Sequence, residues 1–261
     1  MKIVINLQYL HNSHLKTFIE NLPKLFDEND AATLYDKRNV IKSFNIDYSD
    51  NVLHSVVIKR YHCPNIFQRI AYSFFRQSKA RRAYQNAETL LTRGFSTPIN
   101  IAYVEQWKNG LFKYGFYLTG FDGAHPICEQ LNDKEDFNKI IASDFAAFAA
   151  ELHAKGILHG DLNSTNVLFH PLDNGHYSFS VIDINRMTTR PSGDFTPNEC
   201  FDNLTRFTGR MDLFEYVLKQ YIIARNWDVD KCLPQAIAIK KHHDEQWRKR
   251  KAFTGKIKKI F

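Results

Sequence analysis

The feature that most constrains this chain is the order of three patterns around residue 160. From Phe137 the apolar positions Ile140, Ile141, Phe145, Phe148 and Leu152 recur at helical spacing, and the stripe ends at Gly156. A polar loop follows in "LHGDLNSTNVLF", Leu158 to Phe169, with His159, Asp161, Asn163, Ser164, Thr165 and Asn166 held between apolar ends. Then "VLFHPLDNGHYSFSVID" gives two short runs joined by Asp173-Asn174-Gly175. Asn-Gly at the tip predicts a two-residue hairpin turn with positive φ at both positions. In that register Asn166 stands directly opposite Asp183, with Cα atoms roughly 4.5–5.5 Å apart and both side chains on one face.

An amide oxygen and a carboxylate converging in this way suit Mg²⁺, which takes few protein oxygens and completes its shell from water and phosphate. Asp161, five residues before Asn166, is placed to accept a proton from an attacking hydroxyl. The set matches phosphoryl transfer: a catalytic-loop Asp, a metal-binding Asn five residues on, and a second metal-binding Asp after a strand. The competing reading is an ordinary helix-to-strand connection, because Asp and Asn are common in turns. Pro171 within the first run also invites a bulge or register slip. Ser164 and Thr165 lack the glycine pair of a nucleophile elbow and read as loop residues. His159 reads as an orienting or packing side chain.

The first half is mixed. Ile3 and Ile5 alternate as in a short strand, and residues 15–26 carry an amphipathic helical stripe. "NVIKSFNIDY" and "NVLHSVVIKRY" read as strands separated by Ser49-Asp50-Asn51. A basic helix through "QSKARRAYQNAETLLTRG" stops at Gly94, and Asn109-Gly110 marks a hairpin. The second half is mostly helical, through "FTGRMDLFEYVLKQYIIARNW" and "LPQAIAIKKHHDEQWRKRK". The pattern predicts an α+β chain. Residues 1–120 form a sheet-plus-helix domain and residues 121–261 a helical one, with the boundary at the glycines of "LTGFDGAHP".

A phosphate site also needs a cation. "SVVIKRY" ends a strand with Lys59, which shares a face with Leu53, Ser55 and Val57. Alone it is an ordinary solvated charge; with Asp161, Asn166 and Asp183 downstream it fits the strand lysine that contacts nucleotide phosphates.

Composition narrows the remaining classes. A hydrophobic fraction of 44% and aromatic fraction of 14% exclude a disordered chain. Cys63, Cys128, Cys200 and Cys232 form no C-x-x-C pair, which argues against a zinc or redox motif and suits a reducing compartment. No run of 18 apolar residues occurs, and Asn6 and Gln8 interrupt the first apolar stretch, so neither a membrane span nor a signal peptide is expected. A net charge of +7, partly in "WRKRKAFTGKIKKIF", favours anionic partners. A plain solvated helix end is the alternative for that segment.

These residues resemble the protein-kinase-like superfamily, and within it the Kdo/heptose lipopolysaccharide kinase family. The likeness rests on "VVIK" ending at Lys59, "LHGDLNSTNVLF", "VIDINRM" with Asp183, "SKARRAYQNAETLLTRGFSTP" and "LTRFTGRMDLFEYVLKQY", spanning Leu53 to Tyr221. It implies a protein-kinase-like two-lobe fold and ATP- and Mg²⁺-dependent phosphorylation of a sugar hydroxyl, Kdo or heptose, in the lipopolysaccharide inner core. By position, Asp161 is then the catalytic base, Asn166 and Asp183 the Mg²⁺ ligands, and Lys59 the ATP phosphate contact. The carboxylate partner of Lys59 falls near Ala83 in the family register; Glu88 is the nearest one in that helix.

The implied acceptor is a lipid-linked anionic sugar. The implied place is cytoplasmic, peripheral at the inner face of the inner membrane, with "KIKKIF" on an acidic leaflet. No nucleic-acid partner is expected. The chain departs from regulated protein kinases in having no G-x-G-x-x-G before Lys59, Gly160 where they carry Arg, Asn163 where they carry Lys, and Ile184-Asn185 after the metal Asp. A kinase of a soluble small molecule, of the aminoglycoside or choline type, and an inactive kinase-like binding module are the competing functions.

Overall fold

The computed structural model describes residues 1–28, 31–47, 53–132 and 135–257. The turn expected at Ser49-Asp50-Asn51 and most of the terminal "KIKKIF" lie outside these residues. The chain divides into two compact units. One is Met1–Gly123 with Asp183–Arg186; the other is Ala124–Ile182 with Met187–Phe261.

The first unit is built on six strands: β1 (Lys2–Ile5), β2 (Ala32–Asp36), β3 (Val40–Asp47), β4 (Leu53–Arg60), β5 (Asn100–Lys108) and β6 (Leu111–Gly120). They form one antiparallel sheet in the order β1-β5-β6-β4-β3-β2. Helix α1 (Ser13–Glu28) turns Leu15, Ile19, Leu22 and Phe26 onto one sheet face, where they are essentially sealed from solvent with Val56, Ile58, Val104, Phe116 and Leu118. Strand alternation puts Val56 and Ile58 in that core, so Lys59 projects from the opposite face.

On the basic stretch, α3 (Lys79–Thr92) begins at Ser78, whose hydroxyl accepts from the Arg81 amide at 3.1 Å. It ends where Gly94 turns left-handed and the Phe95 amide reaches the Leu90 carbonyl at 2.9 Å. Its buried stripe is Ala80, Ala83, Ala87 and Leu90. The close approach depends on Gly115 of β6, where an added Cβ would lie 3.0 Å from the Ala80 Cβ. Asn109 and Gly110 both take positive φ, 54° and 74°, and close the β5–β6 hairpin as expected. Strand β2 and a short helix, α2 (Ile66–Phe74), were not evident from the sequence pattern.

The second unit is mostly helical. Its elements are β7 (His125–Pro126), α4 (Cys128–Leu131), α5 (Lys139–Ala154), β8 (Ile157–Leu158), β9 (Val167–Pro171), β10 (Tyr177–Val181), β11 (Thr188–Thr189), α6 (Pro197–Leu204), α7 (Met211–Ala224) and α8 (Val229–Ile257). Helices α5 and α7 bury Phe145, Ala149 and Leu152 with Phe214, Val217 and Tyr221, and Phe145 stacks on Phe207 at 4.2 Å. A full capping box of Thr196 and Glu199, with Pro197 in the first turn, starts α6. Among the described residues no helix is long and apolar enough to cross a membrane.

The β9–β10 hairpin corrects the expected register. Val167 pairs with Val181 and Phe169 with Phe179, one residue off the predicted alignment. Asn166 therefore stands opposite Ile182, whose amide donates to the Asn166 carbonyl at 3.0 Å, and not opposite Asp183. The cause is the turn. Its loop holds three residues, Asp173, Asn174 and Gly175, closed by Leu172 and His176, and only Gly175 is left-handed. The Asn174 side chain accepts from the His176 amide at 3.1 Å, a local bond that settles it in an ordinary turn conformation.

Candidate functional site

In the second unit the loop after β8 is fixed by its own polar groups. Buried His159 donates from Nε2 to the Ile182 carbonyl at 2.9 Å, since a carbonyl only accepts. That leaves Nδ1 to accept from the Asp161 amide at 3.3 Å. Both ring nitrogens are occupied, so His159 orients the loop and takes no proton from a substrate. The Asn203 side-chain oxygen accepts from the His159 amide at 3.3 Å and from His153 Nε2 at 3.0 Å. His153 is sealed in the core, and burial pushes its pKa down to about 4, so its ring is neutral and accepts from the Tyr221 hydroxyl at 2.9 Å. The loop thus rests on a neutral buried network joining α5, α6 and α7.

Asn166 spends its amide nitrogen on the Asp161 carbonyl at 2.9 Å and its backbone oxygen on Ile182. The bond fixes the amide orientation and leaves its side-chain oxygen as an acceptor. The Asp161 carboxylate, about a quarter exposed (23%), is paired with Arg206 at 3.4 Å. Ser164 accepts from Asn132, and the Thr165 amide and hydroxyl both donate to Asn163, so the two hydroxyls serve the loop's shape.

In the first unit Lys59 Nζ meets Asp183 Oδ1 at 2.7 Å, and its ammonium lies 5.3 Å from the centre of the Tyr61 ring. Asn185 donates to the same carboxylate oxygen at 2.6 Å. Asp183 itself sits at φ 58°, a left-handed conformation that Asp tolerates better than most side chains and that turns the carboxylate off the strand direction. The turn Ile184–Arg186 is held to α3 by Asn86, which donates to the Ile184 carbonyl at 2.7 Å. Burial, and then the charge of Asp183, raise the Tyr61 hydroxyl well above its ordinary pKa, so Tyr61 stays neutral beside the pair.

Glu88 is not the partner of Lys59. It accepts from the side chains of Asn6 and Asn100, toward the other end of α3. The helix meets β6 closely at Ala80, opposite Gly115, and Ala80, Ala83 and Ala87 belong to its buried stripe. The carboxylate that meets Lys59 is Asp183.

The sequence reading also passed over a cationic group in the first unit. Arg38, Tyr61, His62, Gln68, Tyr72 and Lys79 line one pocket that contains no carboxylate. Burial depresses the Lys79 pKa, and the charges of Arg38, Arg186 and Arg82 depress it further. Arg38 sits on the β2–β3 turn, which Asn39 fastens by accepting from the His62 amide at 3.1 Å. The signal was present in the basic run Lys79, Arg81, Arg82, but nothing in the spacing linked it to Arg38 or Arg186.

Each unit offers an oxygen donor of the kind Mg²⁺ takes beside phosphate: the oriented Asn166 amide oxygen in the second and the Asp183 carboxylate in the first. Asp183 is engaged with Lys59, an arrangement that a bound cation would have to rearrange.

A model of the lipopolysaccharide kinase (Kdo/WaaP) family matches residues 47–228, a span that includes Lys59, Asp161, Asn166 and Asp183. Among solved structures, WaaP in complex with acyl carrier protein superposes with a TM-score of 0.61 at 13% identity, covering 94% of this chain and 99% of that one. The α+β, kinase-like fold expected from the sequence is the fold found. A complex of the Rio2 kinase with ADP/Mg²⁺ and phosphoaspartate, from Chaetomium thermophilum, matches at TM-score 0.45 and 14% identity, over 86% of this chain and 75% of that one. No curated protein matches the sequence.

Proposed function

The chain belongs to the lipopolysaccharide kinase (Kdo/WaaP) family, and from that premise we propose that it transfers the γ-phosphoryl group of ATP to a Kdo or heptose hydroxyl of the lipopolysaccharide inner core. The observation that carries the reading is the span of the family match, which takes in all four residues expected to do the chemistry. Asp161 accepts the proton of the attacking hydroxyl, and Arg206 beside it holds the carboxylate in place. By their places in the family's motifs Asn166 and Asp183 would each give an oxygen to Mg²⁺, and the ion would neutralise charge on the phosphates. Lys59 contacts the phosphates once it leaves Asp183.

The chain lacks the glycine-rich phosphate loop, and we infer that the turn Lys37–Arg38–Asn39 covers the phosphates instead, with side-chain charge replacing bare amides. The carboxylate-free pocket around Arg38 and Lys79 supports an anionic ligand over a cationic aminoglycoside. The acceptor is lipid-linked, and the protein works at the inner face of the inner membrane. The structurally similar WaaP is described with acyl carrier protein, and co-purification with an acyl carrier protein tests for a shared partner. The test of the function is phosphate transfer from labelled ATP to purified dephosphorylated lipid A–core. Transfer to free sugars or aminoglycosides with none to the core would assign the chain to soluble acceptors.

A further inference from the structure

Helix α2 is amphipathic, but it is mounted the wrong way round for a soluble protein. At 3.6 residues per turn, Ile66, Phe67, Ile70 and Phe74 fall within roughly 100° of arc. A helix on a globular surface turns such a stripe to the core. Here the stripe faces solvent: Phe67 is 79% exposed, Phe74 68%, Ile66 50% and Ile70 39%, and Phe75 at the helix end is 85% exposed. No residue of α2 is buried.

The polar side does the holding. Arg69 donates from Nε to the Phe112 carbonyl at 2.8 Å, and the Phe112 amide donates to the Ser73 hydroxyl at 2.8 Å. Tyr72 adds an edge-on contact with the Phe112 ring at 5.4 Å. The start is well made, with Asn65 accepting from the Gln68 amide at 2.9 Å. A formed and anchored helix therefore carries five large apolar side chains outward. Scattered exposed apolar residues need no explanation, but a contiguous set on one helix face marks an interaction surface.

The charge around it selects the partner. From residue 51 to residue 87 the sequence holds no Asp or Glu, while Arg69, Arg76, Lys79, Arg81 and Arg82 lie on or just beyond α2. An apolar helical face in a stretch of chain that carries basic residues and no carboxylate matches the interface of an anionic bilayer, where aromatic rings enter the acyl boundary and basic groups stay among the headgroups.

We propose that α2 docks the protein on an anionic membrane, with Phe67, Ile70, Phe74 and Phe75 entering the bilayer interface and Arg76 at the headgroups. This assignment stands on the geometry of α2 and on no step of phosphate transfer, although it suits the lipid-linked acceptor proposed above. It places the docking surface in the first unit, in addition to any contribution from the basic C-terminus.

Vesicle co-flotation of the full chain tests it, with phosphatidylcholine vesicles and with phosphatidylcholine–phosphatidylglycerol vesicles, without ATP. The expected result is binding to the anionic vesicles and weak binding to the neutral ones. Phe67→Glu with Phe74→Glu should lower the affinity by about tenfold or more, whereas Leu7→Glu, a change at another exposed apolar residue, should leave it unchanged. In Phe74→Trp the added fluorescence should shift to the blue on anionic vesicles; this milder change keeps the test valid if the double variant folds poorly. Binding unaffected by the double variant, no vesicle binding by the wild-type chain, or Trp emission indifferent to vesicles would overturn the proposal. So would a soluble acidic protein captured through the same face in place of lipid. Each outcome is read without turnover, so failure here leaves the kinase reading untouched.

Discussion

At the residue scale the chemistry turns on which atoms remain available after the local hydrogen bonds are made. Asn166 has given its amide nitrogen to the Asp161 carbonyl, and His159 has used both ring nitrogens inside the second unit. These bonds explain why Asp161 and Asn166 were legible as a pair from their spacing of five, while the role of His159 needed coordinates. Lys59 was legible as a strand-end cation, but its partner was not. The family register fell near Ala83, with Glu88 the nearest carboxylate in that helix, whereas the bond is made by Asp183, distant in sequence and left-handed in backbone. Asp183→Asn should raise the Mg²⁺ concentration needed for half-maximal transfer tenfold or more, read in a metal titration of the kinase assay. Lys59→Met should lower kcat/KM for ATP by about 10²–10³-fold with little change in Mg²⁺ dependence. An unchanged metal titration in Asp183→Asn would remove Asp183 from the metal site.

Elements show why the same dipeptide was read correctly once and incorrectly once. Asn109-Gly110 joins strands whose pairing runs up to Lys108 and Leu111, and both turn residues take positive φ. At Asn174-Gly175 the preceding Asp173 joins the loop and the Asn174 side chain stabilises another turn, so the register moves by one. Helix periodicity found α1, α3, α5 and α7 because each buries an apolar stripe. It missed α2, whose apolar stripe is not part of any core, and α6, whose capping box was the available signal. Gly175→Ala should cost about 1 kcal/mol in urea unfolding, because the position is left-handed with open space around it.

The network joining α5, α6 and α7 makes a pH prediction. His153 has a folded pKa of about 4, below its ordinary unfolded value near 6.5, so the unfolded chain binds the extra proton between them. Stability should therefore fall as pH drops from 6.5 towards 4, by up to roughly 3 kcal/mol from this group. His153→Gln should be less stable at neutral pH but should lose that part of the acid dependence in thermal melts. A full acid dependence in that variant would place its origin elsewhere.

For the whole molecule, the family match shows a lipopolysaccharide kinase, and the proposal of an anionic, membrane-borne sugar as its acceptor rests on that match and on the net charge of +7. Charge patterning alone made an anionic partner the expectation, because a net positive surface limits its ligands whatever its topology. Positions were not legible in the same way. Arg38, Lys79 and Arg186 are far apart in the chain, and only tertiary folding brings their charges to bear on one another. The most direct measurement is mass spectrometry of lipid A–core from a deletion strain carrying either the wild-type chain or Asp161→Ala, the two proteins being matched in amount and thermal stability. The account predicts one phosphate per core restored by the wild-type chain and absent with Asp161→Ala, a loss of about 10²-fold or more in transfer. Full phosphorylation with Asp161→Ala, or a core unchanged by the deletion itself, would contradict it.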